Sequence, residues 1–265
     1  LCSAMDVKGQ IPSANQTKGV EMIALAGLIL AWIAVFGGHL LEGGQAGSLT
    51  NIPAALIVLG GTLAAGMIQS DFATWRLAWR LFPGIFSHAQ WQTEATEAKL
   101  VRWCQIARRQ GLLSLEADSN REQDDFVRLG LQLLVDGESV TKIRHSLEVS
   151  MDSRESRTLR AAHLFDSLGG YAPTMGIIGA VLGLIQVMTQ IEDTAALGAG
   201  IATAFVATIY GVGLANLFFL PVAARLRSMA EARFGFEDMV LDGILAIADS
   251  ENPRVLERRL KEYRP

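Results

Sequence analysis

Residues Gly169–Met188 read GGYAPTMGIIGAVLGLIQVM, twenty residues without one Asp, Glu, Lys or Arg. At 1.5 Å of rise per residue such a helix is about 30 Å long, the thickness of a bilayer's hydrocarbon core. Nine residues further on, Gly198–Leu226 is a second apolar run, with one proline at Pro221 and its first basic residue at Arg225. Two spans so closely spaced form a membrane hairpin. Upstream, Met22–Gly38 (MIALAGLILAWIAVFGG) and Ile52–Ile68 (IPAALIVLGGTLAAGMI) repeat the arrangement, with Pro53 at a first-turn position that helices tolerate. The expected fold is therefore an all-α integral membrane protein, four transmembrane helices in two hairpins.

Composition agrees. Of 265 residues half are apolar and 19% are charged, below the roughly 25% of soluble domains, and the mean hydropathy is positive. The 26 glycines against 7 prolines suit helices that approach closely in lipid. Of the 23 basic residues two precede Met22, thirteen lie between Ser70 and Leu168, and eight follow from Arg225 onward. The connections 39–51 and 189–197 contain no Lys or Arg. The positive-inside rule then puts both termini and the central segment in the cytoplasm, which in a bacterium means an inner-membrane protein with two small outward loops. A net charge of −4 gives no reason to expect nucleic acid as a partner.

Residues 1–19 carry no signal-peptide pattern, and Val20-Glu21-Met22 suits a natural start, so the segment is read as a tail upstream of it. After it come hairpin 1 (20–70), a cytoplasmic domain (71–166), hairpin 2 (167–226) and a cytoplasmic tail (227–265). The domain has helical periodicity: Leu100, Cys104, Ala107 and Gly111 recur on one face, as do Ile143, Leu147 and Met151. A terminal helix is expected after Asn252-Pro253.

Catalytic motifs are missing from the sequence. There is no GxxxxGK[ST] loop and no HExxH, the four histidines stand singly, and Cys2 and Cys104 are about a hundred residues apart, so neither an enzyme, a resident cofactor nor a metal site is expected. The GxG triplets at Gly198 and Gly211 lie inside apolar runs and read as packing. The four apolar cores contain no Asp, Glu, Lys or Arg, whereas a chain that carries ions by itself normally has one at membrane depth. They contain Thr62, Thr174, Thr203 and Thr208 instead. These hydroxyls either bond back to their own helix or line an ion path whose titrating carboxylate comes from another chain.

The block Gly169–Gly179, followed by Ala180-Val181-Leu182-Gly183-Leu184, resembles the third span of the flagellar stator A subunits, the MotA and PomA group. Similarity continues through Ala207-Thr208-Ile209-Tyr210-Gly211, Ala215-Asn216 and Pro221 in the fourth span, Ile57–Thr62 in the second, and Glu251-Asn252-Pro253-Arg254 in the tail. The Leu-Glu-Gly-Gly turn after the first span is similar to the MotC subgroup. The resemblance implies a ring of A subunits, usually five, around two B subunits of MotB type, whose Asp binds the carried ion. It also implies that ion flow turns this ring against the rotor's switch-ring protein. Thr208 then faces the ion path, and Pro173 and Pro221 couple ion passage to movement, although as prolines they also suit a static kink. Arg108 and Glu116 match the family's rotor contacts, with Arg109 an adjacent alternative. Sodium-driven members tend to carry Thr where Ala180 stands, which points to protons here. The rival is an ExbB or TolQ type subunit energising outer-membrane processes, but those relatives have three spans, usually with one before the cytoplasmic domain.

Overall fold

A computed structural model describes residues 50–86, 93–189 and 194–264, together with isolated helical positions at 27, 29, 30, 33, 37, 38 and 41. Residues 1–26, the greater part of the expected first span, most of the first expected outward loop and residues 190–193 of the second lie outside the described residues. Among the described residues there is no strand. The α-helices in chain order are α1 (Ile52–Gln69), α2 (Phe72–Leu81), α3 (Thr93–Gln110), α4 (Glu116–Arg121), α5 (Asp125–Val135), α6 (Val140–Thr189), α7 (Thr194–Leu214), α8 (Leu220–Ala248) and α9 (Pro253–Leu260). Among the described residues three stretches are long and apolar enough to cross a membrane, in α1, in α6 and in the helix from Leu197 to Ala248.

Two compact units result. The first contains residues 93–156 and 229–264, and the second residues 50–86, 157–189 and 194–228. The first unit is a helical domain around Leu100, Trp103, Phe126, Leu131, Ile143, Leu147, Met239, Ile244 and Leu256, all buried. Its helices meet at small residues: a Cβ on Gly130 would sit 2.9 Å from Ile244, and one on Gly243 2.7 Å from Leu100. Asn252 caps α9 by accepting from Arg254 N, with Pro253 in the first turn, as the Asn-Pro pair predicts.

One ionic cluster lies in the same unit. Arg233 of α8 donates to both oxygens of Asp124, the α5 cap, at 2.7 and 3.1 Å and to Glu237 at 2.6 Å, and Arg154 reaches Glu237 at 3.4 Å. Burial alone would push the Asp124 carboxyl up, but Arg233 holds it below its ordinary value, while burial pushes Glu237 up despite the same arginine.

In the second unit α1 packs through Ala54, Val58, Thr62 and Gly66, its buried stripe at every fourth residue. Between α7 and α8 the helix widens into one π-helical turn, Ala215–Phe219, in which Leu220 N–H donates to Ala215 C=O. Pro221 follows directly. Because proline has no N–H to complete an α-helical turn, the wide turn lets the helix continue past it. Pro173 lies inside α6, where the helix also continues; beside it Thr174 Oγ1 donates to Tyr171 C=O at 2.8 Å.

Candidate functional site: the glycine-packed face of α6 and α7

The second half of α6 and α7 run antiparallel at backbone contact. A Cβ on Gly176 would sit 2.9 Å from Ala207 O, 3.3 Å from Gly211 Cα and 3.4 Å from Thr208 Cα. One on Gly211 would be 2.5 Å from Ala172 O, one on Gly183 3.1 Å from both Ala204 N and Gly200 O. These positions need glycine because the neighbouring helix backbone occupies the space a side chain would take. The small-residue spacing read from the sequence is therefore a packing seam, to which Gly200 and Gly211 belong, whereas Gly198 and Gly213, the other glycines of the two GxG triplets, have nothing within 4 Å of a Cβ.

The seam decides which side chains are left outside. On α7, Ile201, Phe205, Thr208, Ile209 and Val212 are exposed, and on α6 Thr174, Ile177, Val181, Leu184, Ile185 and Met188 are exposed. In a chain that crosses a membrane such faces belong against lipid or against other helices. Thr208 is exposed, and its Oγ1 donates back to Ala204 O at 3.2 Å, leaving the oxygen's lone pairs free to accept. Ala180 is half-buried and follows Gly179, whose Cβ would touch Ala207 at 2.9 Å, so the structure brings Ala180 and Thr208 to one helix crossing. Pro173 is half-buried and Pro221 exposed. They are one turn and one residue away, respectively, from the contact of Gly169 with Leu220, where a Cβ would sit 2.7 Å from Leu220 Cδ2.

Asn51 is a residue that sequence reasoning missed. Its Oδ1 accepts from Ala54 N at 2.9 Å and caps α1, its Nδ2 donates to Thr203 Oγ1 at 2.7 Å, and its own N–H reaches the Tyr210 hydroxyl at 3.3 Å. The Asn-x-Pro pattern signals the cap, but nothing local signals partners more than 150 residues away. Thr203 in turn donates to Ala199 O at 2.9 Å. Thr62 is fully buried, and its hydroxyl has no hydrogen-bond partner among the described residues.

The second predicted site lies in the first unit. Helix α3 ends at Gly111, which adopts φ of +83°, a left-handed conformation that favours glycine, and a 3₁₀ turn Leu112–Leu115 leads into α4 at Glu116. Leu115 is buried under this turn, whereas Arg108, Arg109, Leu113 and Glu116 are exposed around it. Arg108 Nη1 donates to Glu251 O at 3.4 Å, and Cys104 Sγ approaches the same carbonyl at 3.4 Å from the buried side. Arg102 and Asp118 pair at 2.6 Å. Among the described residues no side-chain hydrogen bond or ion pair engages Arg109 or Glu116, and both are exposed, so both charges face outward.

Comparison with known proteins gives the context for these two surfaces. Residues 25–111 match the family described as Motility protein A N-terminal, and residues 118–235 match the MotA/TolQ/ExbB proton channel family. Motility protein A of Bacillus subtilis (strain 168) is 33% identical over 247 residues, covering 93% of this chain and 92% of that protein. Chemotaxis protein PomA of Vibrio alginolyticus is 30% identical over 244 residues, 92% of this chain and 95% of that protein. Among solved structures, the flagellar MotAB stator complex from Bacillus subtilis aligns with a TM-score of 0.83 at 33% identity, over 91% of this chain and 95% of that one. The structure of C. jejuni MotAB aligns with a TM-score of 0.85 at 29% identity, with the same coverage. The apolar helices and these likenesses together identify a membrane protein.

Proposed function

Because this chain belongs to the MotA/TolQ/ExbB proton channel family, we propose that it is a stator subunit of a bacterial flagellar motor, converting ion flow across the inner membrane into torque. The observation that carries the reading is the agreement of sequence and fold with flagellar motility proteins over about nine-tenths of both chains. The match of residues 25–111 to the motility N-terminal family favours this over an ExbB or TolQ type subunit.

The chain's own chemistry assigns the roles. Its charge-free spans offer an ion only hydroxyls and carbonyls, so the titrating group belongs to a partner, an Asp of a MotB-type dimer. Thr208 presents its oxygen on the outer face of α7, as a ligand beside that Asp would. Ala180, which follows Gly179 at the same helix crossing, has no side-chain oxygen to replace the hydration shell of sodium, and a proton passing to a carboxylate requires none. The translocated ion is thus H+. Pro173 and Pro221 lie where α6 and the helix beyond the π turn lack a backbone donor, so bending there sacrifices no hydrogen bond. Five copies form a ring around two B subunits, both termini are cytoplasmic, and Arg108, Arg109 and Glu116 meet charges on the rotor's switch ring. Exposed charge pairs contribute about 0 to 1 kcal/mol each, which suits contacts made and broken at every step.

The test is rotation of tethered cells of a stator-deleted strain given this chain and its genomic B-type neighbour, with and without sodium. Rotation independent of sodium is expected. Sodium-dependent rotation would leave the stator and refute the argument from Ala180; no rotation despite membrane assembly and a compatible rotor would favour the ExbB or TolQ alternative.

A further inference from the structure

The second unit contains an open cleft of about 450 Å³ lined by Gln69, Ser70, Asp71, Thr74, Arg160, His163, Leu164 and Ser167. Its walls mark a level in the membrane. The apolar helix α1 ends at Gln69, and the charge-free stretch of α6 begins just beyond Ser167, so the cleft opens where both helices change from apolar to polar. Helix α2 leaves the same place with exposed Phe72 and Trp79 and with Arg76 and Arg80, the aromatic and basic mixture that anchors helices among headgroups.

From this cleft we infer a binding site for one phospholipid headgroup that carries an amine beside its phosphate, phosphoethanolamine in chemical class. Arg160, His163 and Ser167 are three and four residues apart on α6 and so share one face. The Arg160 guanidinium suits a phosphate. Ser167 Oγ lies 3.3 Å from His163 Nδ1, which leaves His163 Nε2 open. Gln69 Oε1 accepts from the Tyr171 hydroxyl at 3.1 Å, which turns its amide NH2 to other use. Against these donors stands a single acid. Asp71 caps α2 by accepting from Thr74 N at 3.1 Å, and hydrogen bonds from Thr74 together with the charge of Arg160 hold its carboxyl below the ordinary value. A carboxylate has about four lone-pair sites, so capping leaves room for an ammonium. An anionic headgroup alone would meet this carboxylate as a repulsion, whereas a zwitterionic headgroup uses both charges. The volume is within the range of about 300–1,000 Å³ usual for small-ligand sites.

The inference rests on the reading that the chain spans a membrane, and its test does not involve rotation. The full chain with its B-type partner is placed in nanodiscs of equal phosphatidylethanolamine and phosphatidylglycerol, extracted gently, and weighed by native mass spectrometry. Phosphatidylethanolamine retained in preference to phosphatidylglycerol, up to one molecule per copy of this chain, is the expected result. Arg160→Gln should lower its retention about tenfold, the equivalent of one charge-assisted hydrogen bond. Asp71→Asn keeps a good helix cap and should abolish only the preference for the amine. Retention of neither lipid, or the same class ratio in wild type and in an Asp71→Asn complex of normal mass, overturns the site. Displacement of the lipid by inorganic phosphate as readily as by phosphoethanolamine identifies a simple anion site and overturns it equally.

Discussion

Gly211 and Gly213 are two residues apart on one helix and meet opposite surroundings, so replacing each with alanine isolates the seam between α6 and α7. A Cβ on Gly211 would lie 2.5 Å from Ala172 O and 3.0 Å from Gly176 Cα, about 0.9 and 0.4 Å short of the 3.4 Å at which ordinary contact begins. Both obstacles are backbone, so neither can rotate aside and the helices must separate. Alanine in a helix gains about 0.5–1 kcal/mol over glycine, while forced overpacking costs about 1–3 kcal/mol. Gly211→Ala is therefore expected to be destabilised by about 1–2 kcal/mol. At Gly213 nothing lies within 4 Å, and only the gain remains. The assay is unfolding of the full chain in detergent micelles, comparing midpoints of the two variants and wild type. A Gly211→Ala chain as stable as Gly213→Ala, or more so, would refute the close approach of α6 and α7.

Asn51→Ala removes a cap and a hydrogen bond to Thr203 together, and is expected to cost about 1–2 kcal/mol in the same unfolding assay, with Asn51→Asp recovering the cap but not the donor. Arg233→Met leaves Asp124 and Glu237 without their shared cation and should destabilise the first unit by about 3 kcal/mol, whereas replacing all three by apolar residues of similar volume should cost much less. The pH dependence of that unit has two limbs. Glu237, raised above 4.5, takes up its proton in the folded chain first, so stability rises as pH falls through that folded value; Asp124, lowered below 3.8, contributes stability present above 3.8 and lost as pH falls through its folded value. Unfolding midpoints across pH should show both limbs, and Glu237→Gln should remove only the first. Cys104 is buried and its thiol is pushed up by burial, so a thiol reagent should label it only at the rate of unfolding. Charge reversal at Arg108 should slow or stop rotation with unchanged assembly; unchanged torque would remove it from the rotor contact.

Sequence legibility followed the range of the interaction involved. Hairpin 2 is legible because one local property, twenty residues without a charge at Gly169–Met188, is sufficient to require lipid. The glycine spacing of 176, 179 and 183 announced close packing, yet its partners Gly200, Ala204, Ala207 and Gly211 become identifiable only once the antiparallel register is known. Pro221 was visible, but the π turn before it was not, since a widened turn leaves no composition signal. The Asp124–Arg233 pair joins residues 109 apart and was likewise invisible, because either charge alone reads as a solvated face. Of the candidate site residues, Thr208 and Ala180 were selected by resemblance; the structure adds that they share one crossing, and that Thr208 points away from the seam.

The absence of charge from the described spans has an energetic reason that fits a subunit whose ion ligand arrives with another chain. A charged side chain at mid-bilayer costs about 2.5–3.5 kcal/mol on insertion scales, even with snorkelling available. A threonine whose hydroxyl bonds to the carbonyl four residues back, as Thr208 does to Ala204 and Thr203 to Ala199, carries an oxygen into lipid with its donor already satisfied. Under the proposed function, such charge-free spans insert without help, and the cost of a membrane carboxylate falls on the partner proposed to carry it. That predicts membrane insertion of the chain expressed alone at the level seen with its partner. It predicts too that Thr208→Asp, which places the charge on this chain, should lower insertion when expressed alone, and equal insertion would show that the spans were never under this constraint.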